Sequence, residues 1–142
     1  MKNTNALIVG LGSIGRKHFS ILKKLNFFKK VYTLTRQKRH KVNKVTNLKK
    51  IDFIKPSYVI ISSRTNTHFS HLKFFEKKIK NATVLVEKPL FEKYRNFKIK
   101  NNNVFVGYNL RFHPVIVFLK KFLKNKKIFS INLVCKSFLP EW

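Results

Sequence analysis

Gly10-Leu11-Gly12-Ser13-Ile14-Gly15 is the first segment whose residue types and spacing suit a chemical task. It follows the pattern G-x-G-x-x-G. In that pattern the first glycine turns the chain tightly, the second lets a pyrophosphate approach the backbone, and the third lets a helix pack closely on a strand. The anion would be held by the N–H groups that a helix start leaves unpaired, and by the favourable field there. Alone the pattern is weak. Its neighbours give it meaning: Ala6–Val9 is an apolar run that predicts a buried strand, and positions 14, 18/19, 21/22 and 25 form a helical stripe. The plain alternative is an ordinary glycine-rich turn between strand and helix. No G-K-[ST] follows, so this is not a triphosphate-binding Walker A loop.

An acidic residue about 20 positions further on would hold the ribose 2′-hydroxyl of NAD. Thr35 and Arg36 stand there instead, with Arg39 nearby. That pair suits the 2′-phosphate of NADP, so the residues favour NADP over NAD. The bland reading of Arg36 is one more solvated cation in a basic chain.

Three later segments also carry polar groups at the ends of expected strands. Ser62-Ser63-Arg64-Thr65-Asn66-Thr67-His68 follows Tyr58–Ile61, and in an open α/β sheet ligands lie outside such carboxyl ends. Thr65 or Asn66 is a candidate helix cap. His68 is either an orienting residue or a ligand contact. His71 lies three residues beyond it, but no H-E-x-x-H motif or cysteine cluster accompanies the pair, so no metal site is expected. Glu87-Lys88-Pro89 ends a fourth strand. Lys88 can donate hydrogen bonds to a sugar hydroxyl or carbonyl and help position a C–H bond against a nicotinamide ring. In Gly107–Pro114, Arg111 can bind an anionic group, and Asn109 or His113 a polar substrate. Pro114 suits the first position of a helix.

The elements that must position these residues follow from periodicity. Strands are predicted at 6–9, 31–35, 58–61, 83–86, 104–106 and 128–133. Helices are predicted at 14–25, 47–54, 67–79 and 115–123, with 36–46 a polar loop or weak helix. The alternation implies a parallel sheet covered on both faces.

Length and composition bound the rest. The chain has 142 residues, room for one domain with a core, and a net charge of +27 from 32 basic and five acidic side chains. Hydrophobic residues make up 44%, which argues against uniform disorder, and the one cysteine, Cys135, excludes a disulfide framework. The charge invites a nucleic-acid reading through salt-dependent backbone affinity. The basic residues are nevertheless scattered, without zinc-finger, RNP or recognition-helix patterns, so no specific nucleic-acid partner is expected. No apolar run reaches membrane-spanning length and no signal peptide is visible, which points to a cytoplasmic protein without a membrane partner.

Four segments, GLGSIGRKH (10–18), SSRTNTH (62–68), VEKPL (86–90) and GYNLRFHP (107–114), occur in order at expected strand ends. Together they resemble the Gfo/Idh/MocA oxidoreductases, the glucose–fructose oxidoreductase and inositol dehydrogenase family, and particularly members acting on nucleotide sugars. The resemblance implies a Rossmann-type, doubly wound parallel α/β domain over 1–114. It also implies the start of a truncated second α/β domain over 115–142, a linking helix and a first strand. It implies cofactor contacts from Gly10, Gly12, Ser13, Ile14, Gly15, Thr35 and Arg36. Ser63, Thr65, His68, Glu87 and Lys88 would lie towards the nicotinamide end, with Lys88 beside the reacting carbon.

The implied partners are NADP or NAD and a sugar-type small molecule. A separately encoded C-terminal half or a homo-oligomer is a further expected partner, and the histidine that usually accompanies the lysine belongs to that C-terminal half. The alternatives are a non-catalytic nucleotide-binding module or a degenerate fragment.

Overall fold

The computed structural model describes residues 4–37 and 43–134. The chain divides into two compact units, Met1–Tyr108 and Asn109–Trp142. The first holds six strands: β1 (Asn5–Val9), β2 (Lys30–Leu34), β3 (Lys44–Val45), β4 (Pro56–Ile61), β5 (Thr83–Val86) and β6 (Asn103–Val106). All neighbours pair in parallel, in the order β3-β2-β1-β4-β5-β6. The helices of this unit are α1 (Ser13–Leu25), α2 (Ile51–Ile54) and α3 (Thr65–Lys78).

Alternate side chains of each strand leave opposite faces of a sheet. Leu7, Val9, Val59, Ile61, Val84 and Val86 therefore share one face, where they pack with Ile51 and Ile54 of α2 and Leu72 and Phe75 of α3. Ala6, Ile8, Val31 and Ile60 share the other, with Leu22 of α1. Burial on both faces explains why β1 and β4 read as continuous apolar runs rather than alternating ones. β1 lies between β2 and β4, so the connections to β2 and β3 run to one side of it and the connection to β4 returns to the other, which opens a crevice beyond the strand ends.

The predicted strands at 6–9, 31–35, 58–61, 83–86 and 104–106 are present within a residue or two. Three expectations change. Residues 36–46 were expected as loop or weak helix, yet Lys44 and Val45 form β3 against Thr33 and Leu34. A two-residue strand carries no period of its own and exists only through that pairing. The segment 47–54 is a 3-10 turn (Leu48–Lys50) running into α2, begun by Asn47, whose Oδ1 accepts the Lys49 N–H at 2.8 Å.

The strand expected at 128–133 does not form: the described residues 128–134 are exposed and have no strand assignment. An isolated β-rich segment lacks the neighbour that would satisfy its backbone. The continuation of that segment past 134, Cys135 included, lies outside the described residues, as does Arg39.

In the second unit, α4 (Pro114–Phe122) opens with Pro114 at its start, as expected. His113 caps it, its Nδ1 accepting the Val115 N–H at 3.3 Å. A 3-10 turn, Asn109–Phe112, precedes it.

Candidate functional site

The glycine turn sits where β1 hands over to α1. Gly10 adopts φ +90°, a left-handed conformation that favours glycine, and its position leaves no room for a side chain: a Cβ would stand 2.6 Å from Ser63 Cα. A Cβ on Gly15 would overlap the Gly10 carbonyl and approach Ser62 Oγ at 2.9 Å. The Ser62 hydroxyl lies 2.9 Å from the Gly10 carbonyl oxygen and so ties the turn to the end of β4. Gly12 differs. It precedes α1 as its N-cap, no side chain caps the helix, and the space where its Cβ would stand is open to 4 Å. The amides at the start of α1 therefore face a cradle that any side chain at position 12 would fill.

That cradle opens into a cleft of about 950 Å³ lined from both halves of the sheet. Gly10 and Gly12 contribute from the turn, Thr35, Arg36 and Gln37 from the end of β2, and Ser62, Ser63, Arg64, Asn66, Thr67 and His71 from the end of β4 and α3. Thr46, Asn47 and Leu48 close the remaining side. The described lining includes two guanidinium groups and no carboxylate. Gln37 braces the rim: its Nε2 donates to the Leu11 carbonyl at 2.7 Å, and its N–H to Thr35 Oγ1 at 3.1 Å.

The cleft thus brings together Gly10, Gly12, Thr35, Arg36 and Ser63 of the expected site residues. Ser13, Ile14 and Gly15 follow directly in the first turn of α1. Thr65 is the first residue of α3, so the helix starts two residues before the predicted 67. Arg64 holds the N-cap position, and neither Thr65 nor Asn66 caps. The short polar side chains that suggested a cap are already inside the helix.

His68 is buried, with Nδ1 3.1 Å from the Pro89 carbonyl and Nε2 2.9 Å from the Ser63 carbonyl. It links the β4 turn to the segment after β5.

Glu87 and Lys88 close β5, away from the described lining. His18, in α1, reaches Glu87 with Nε2–Oε1 at 2.7 Å, and the second carboxylate oxygen lies 3.3 Å from the Lys88 N–H. Gly107, at the end of β6, faces the same carboxylate, and a Cβ there would stand 3.1 Å from Oε2. Three of the four recognised segments therefore meet at Glu87. Lys88 is itself exposed and is joined to Pro89 by a cis peptide bond. Asn109, Arg111 and His113 belong to the second unit.

Three side chains acquire roles that local patterns did not assign: His18, Gln37 and His71. His71 Nδ1 lies 3.0 Å from Ser63 Oγ. Burial and the neighbouring His68 lower its pKa below the usual histidine value. Among the described residues no cluster of metal-ligating side chains occurs, and no helix is long and apolar enough to cross a membrane.

A parallel sheet ordered 3-2-1-4-5-6, with a glycine turn and an uncapped helix start at its switch point, defines a Rossmann-type nucleotide-binding domain. The family profile described as "Oxidoreductase family, NAD-binding Rossmann fold" matches residues 4–100, and the chain belongs to that Gfo/Idh/MocA family. Among solved structures, the WlbA dehydrogenase of Chromobacterium violaceum, in complex with NADH and UDP-GlcNAcA, aligns with TM-score 0.68 at 15% identity. That alignment covers 87% of this chain and 40% of that one.

WlbA from Thermus thermophilus, in complex with NAD and alpha-ketoglutarate, aligns with TM-score 0.67 at 20% identity, over 87% and 47%. UDP-N-acetylglucosamine 3-dehydrogenase GnnA of Acidithiobacillus ferrooxidans aligns with TM-score 0.61 at 17% identity, over 86% and 44%. The chain thus spans less than half the length of these three structures. No match was found among curated proteins.

Proposed function

We propose that the chain binds a nicotinamide dinucleotide, NADP in preference to NAD, as the cofactor-binding part of an oxidoreductase acting on a sugar or nucleotide sugar. The observation that carries this reading is the uncapped start of α1 at Gly12, open to 4 Å, beside a cleft whose charged lining is Arg36 and Arg64. Backbone amides and a helix terminus suit a pyrophosphate. Gly10, Gly12, Ser13, Ile14 and Gly15 would hold it. Thr35 and Arg36, at the end of β2, would take the adenosine ribose with its 2′-phosphate, since no carboxylate stands there to pair a 2′-hydroxyl.

Ser63, Thr65, His68, Glu87 and Lys88 would serve the nicotinamide end. When bound, the nicotinamide ring supplies or accepts a hydride. Lys88 Nζ would hold the hydroxyl or carbonyl oxygen of the reacting sugar carbon and assist its proton, while His18 fixes Glu87 and with it the peptide that carries Lys88. Asn109, Arg111 and His113 would contact the substrate. The sugar class draws support from the dehydrogenases above, one of which is in complex with UDP-GlcNAcA.

Residues 115–142 would begin a substrate-binding part. The exposed Val115, Ile116, Val117, Phe118 and Phe122 of α4 support its pairing with further chain, a separately encoded half or a second copy.

Titration of the purified chain with NADP(H) and NAD(H) tests the reading. NADPH is expected to bind more tightly than NADH, Gly12→Asp to abolish both, and Arg36→Ala to weaken NADPH alone. Absence of binding to either overturns the proposal. Equal binding that Arg36→Ala leaves unchanged overturns the NADP preference.

A further inference from the structure

Ser63, Thr67 and His71 form a hydrogen-bond chain along the wall of the cleft. His71 Nδ1 lies 3.0 Å from Ser63 Oγ, Thr67 Oγ1 lies 2.9 Å from Ser63 Oγ, and Thr67 Oγ1 lies 2.7 Å from the Arg64 carbonyl oxygen. A hydroxyl both donates and accepts, so this chain has two complete arrangements. With a neutral His71, Thr67 donates to Ser63 and Ser63 donates to Nδ1. With a protonated His71, the two side-chain bonds reverse and a third forms: Nδ1–H donates to Ser63, Ser63 to Thr67, and Thr67 to the Arg64 carbonyl. No side chain has to move, and no donor in the chain is left without an acceptor.

The surroundings favour the neutral arrangement at rest. His71 is partly buried, which disfavours its charged form, and His68 on the same helix acts in the same direction. The other charged groups around the cleft are Arg64 before α3 and Arg36 after β2, with Lys44 of β3 holding the Gln37 carbonyl at 2.8 Å on the rim. The segment Thr46–Leu48 brings no titratable group. All of these charges oppose a further proton. A bound phosphate would reverse the balance.

We propose that His71, which lines the same cleft as Thr35 and Arg36, is a specificity-determining residue there, taking up a proton from solvent as the Ser63–Thr67 chain reverses when an adenosine nucleotide with an additional ribose phosphate binds. The proposal rests on the dinucleotide reading above and adds a residue and a proton to it. Reciprocity requires that a ligand favouring the protonated ring binds more tightly as pH falls.

The test compares adenosine 2′,5′-bisphosphate with 5′-AMP, which share the 5′-phosphate and differ in the one of interest. Affinities of the full chain are measured from about pH 8 to about pH 5.5, across the range in which histidine titrates. The preference for the bisphosphate is expected to rise about fivefold towards acid pH in the wild type, relative to a His71→Gln variant measured alongside. That comparison cancels the titration of the phosphate itself. His71→Arg is expected to hold the strong preference across the whole range.

NMR of the His71 ring supplies a readout in the unsubstituted chain: adding the bisphosphate at neutral pH moves its resonances towards the protonated position. A His71→Gln profile that matches wild type, or a ring that does not respond to saturating bisphosphate, overturns the proposal. If the nucleotides bind but their ratio is independent of pH, only this inference falls. If neither binds at any pH, the dinucleotide reading falls with it.

Discussion

The imidazole of His18 and the carboxylate of Glu87 meet at 2.7 Å across 69 positions of sequence, joining the helix after the glycine turn to the end of β5. The two side chains are largely buried, so each would leave the other with a costly unpaired group. Glu87→Ala is expected to destabilise the fold by about 1–3 kcal/mol. Glu87→Gln, which keeps an oxygen towards His18, should cost less. Urea denaturation of both variants checks the order.

Gly107 is coupled to the same pair. Its missing side chain lets the Glu87 carboxylate lie against β6, and a Cβ would stand 3.1 Å from Oε2. Gly107→Ala is therefore expected to destabilise the wild type by about 1 kcal/mol or more, and to cost much less in a Glu87→Ala background. A double-mutant cycle measures this. Equal cost in both backgrounds would contradict the contact.

Gly12 and Gly15 should part company. At Gly15 an added methyl collides with the Gly10 carbonyl, so Gly15→Ala is expected to lose about 2–4 kcal/mol or fail to fold. At Gly12 the methyl meets nothing within 4 Å, so Gly12→Ala should stay within about 1 kcal/mol of wild type. Thermal melts separate the two. Nucleotide titration of Gly12→Ala then reads the cradle alone.

Glu76 sets a pH dependence. It is buried near the end of α3 and receives the Lys100 N–H at 2.6 Å, the Asn101 N–H, and Asn102 Nδ2 at 2.9 Å. Burial on its own would raise its pKa, but the hydrogen bonds from Asn101, Asn102 and Lys100 outweigh that and hold it below the ordinary carboxyl value. The folded value lies below the unfolded one, about 4.3. The contribution is thus fully present above the unfolded value and fades as pH falls through it towards the folded value.

Glu76→Gln should be less stable than wild type near neutrality, because an amide places a donor against a donor. The difference should shrink in acid. Denaturation at about pH 7 and about pH 3.5 tests the convergence. A constant difference would refute it.

Much of the architecture was legible because it is local. The apolar runs at 6–9, 58–61 and 83–86 have nowhere to go but between two covered faces, and the glycines at 10, 12 and 15 mark a turn whose geometry few other residues tolerate. The four recognised segments gave the family. The two-residue β3 was not legible, since pairing with β2 is its only cause. The segment 128–133 differs for the converse reason: its β-rich composition is present, and among the described residues no strand lies beside it to pair with.

The sequence by itself thus determined the five longer strands, the glycine turn and the order of the motifs, because each depends on residues within a few positions of one another. Only the tertiary structure decided which distant groups meet: His18 with Glu87, Glu87 with Gly107, Gln37 with the Leu11 carbonyl, and Glu76 with the turn before β6. These contacts follow from the strand order and the depth of each helix on the sheet. Periodicity reports which face a side chain leaves from, and packing alone determines what it finds there.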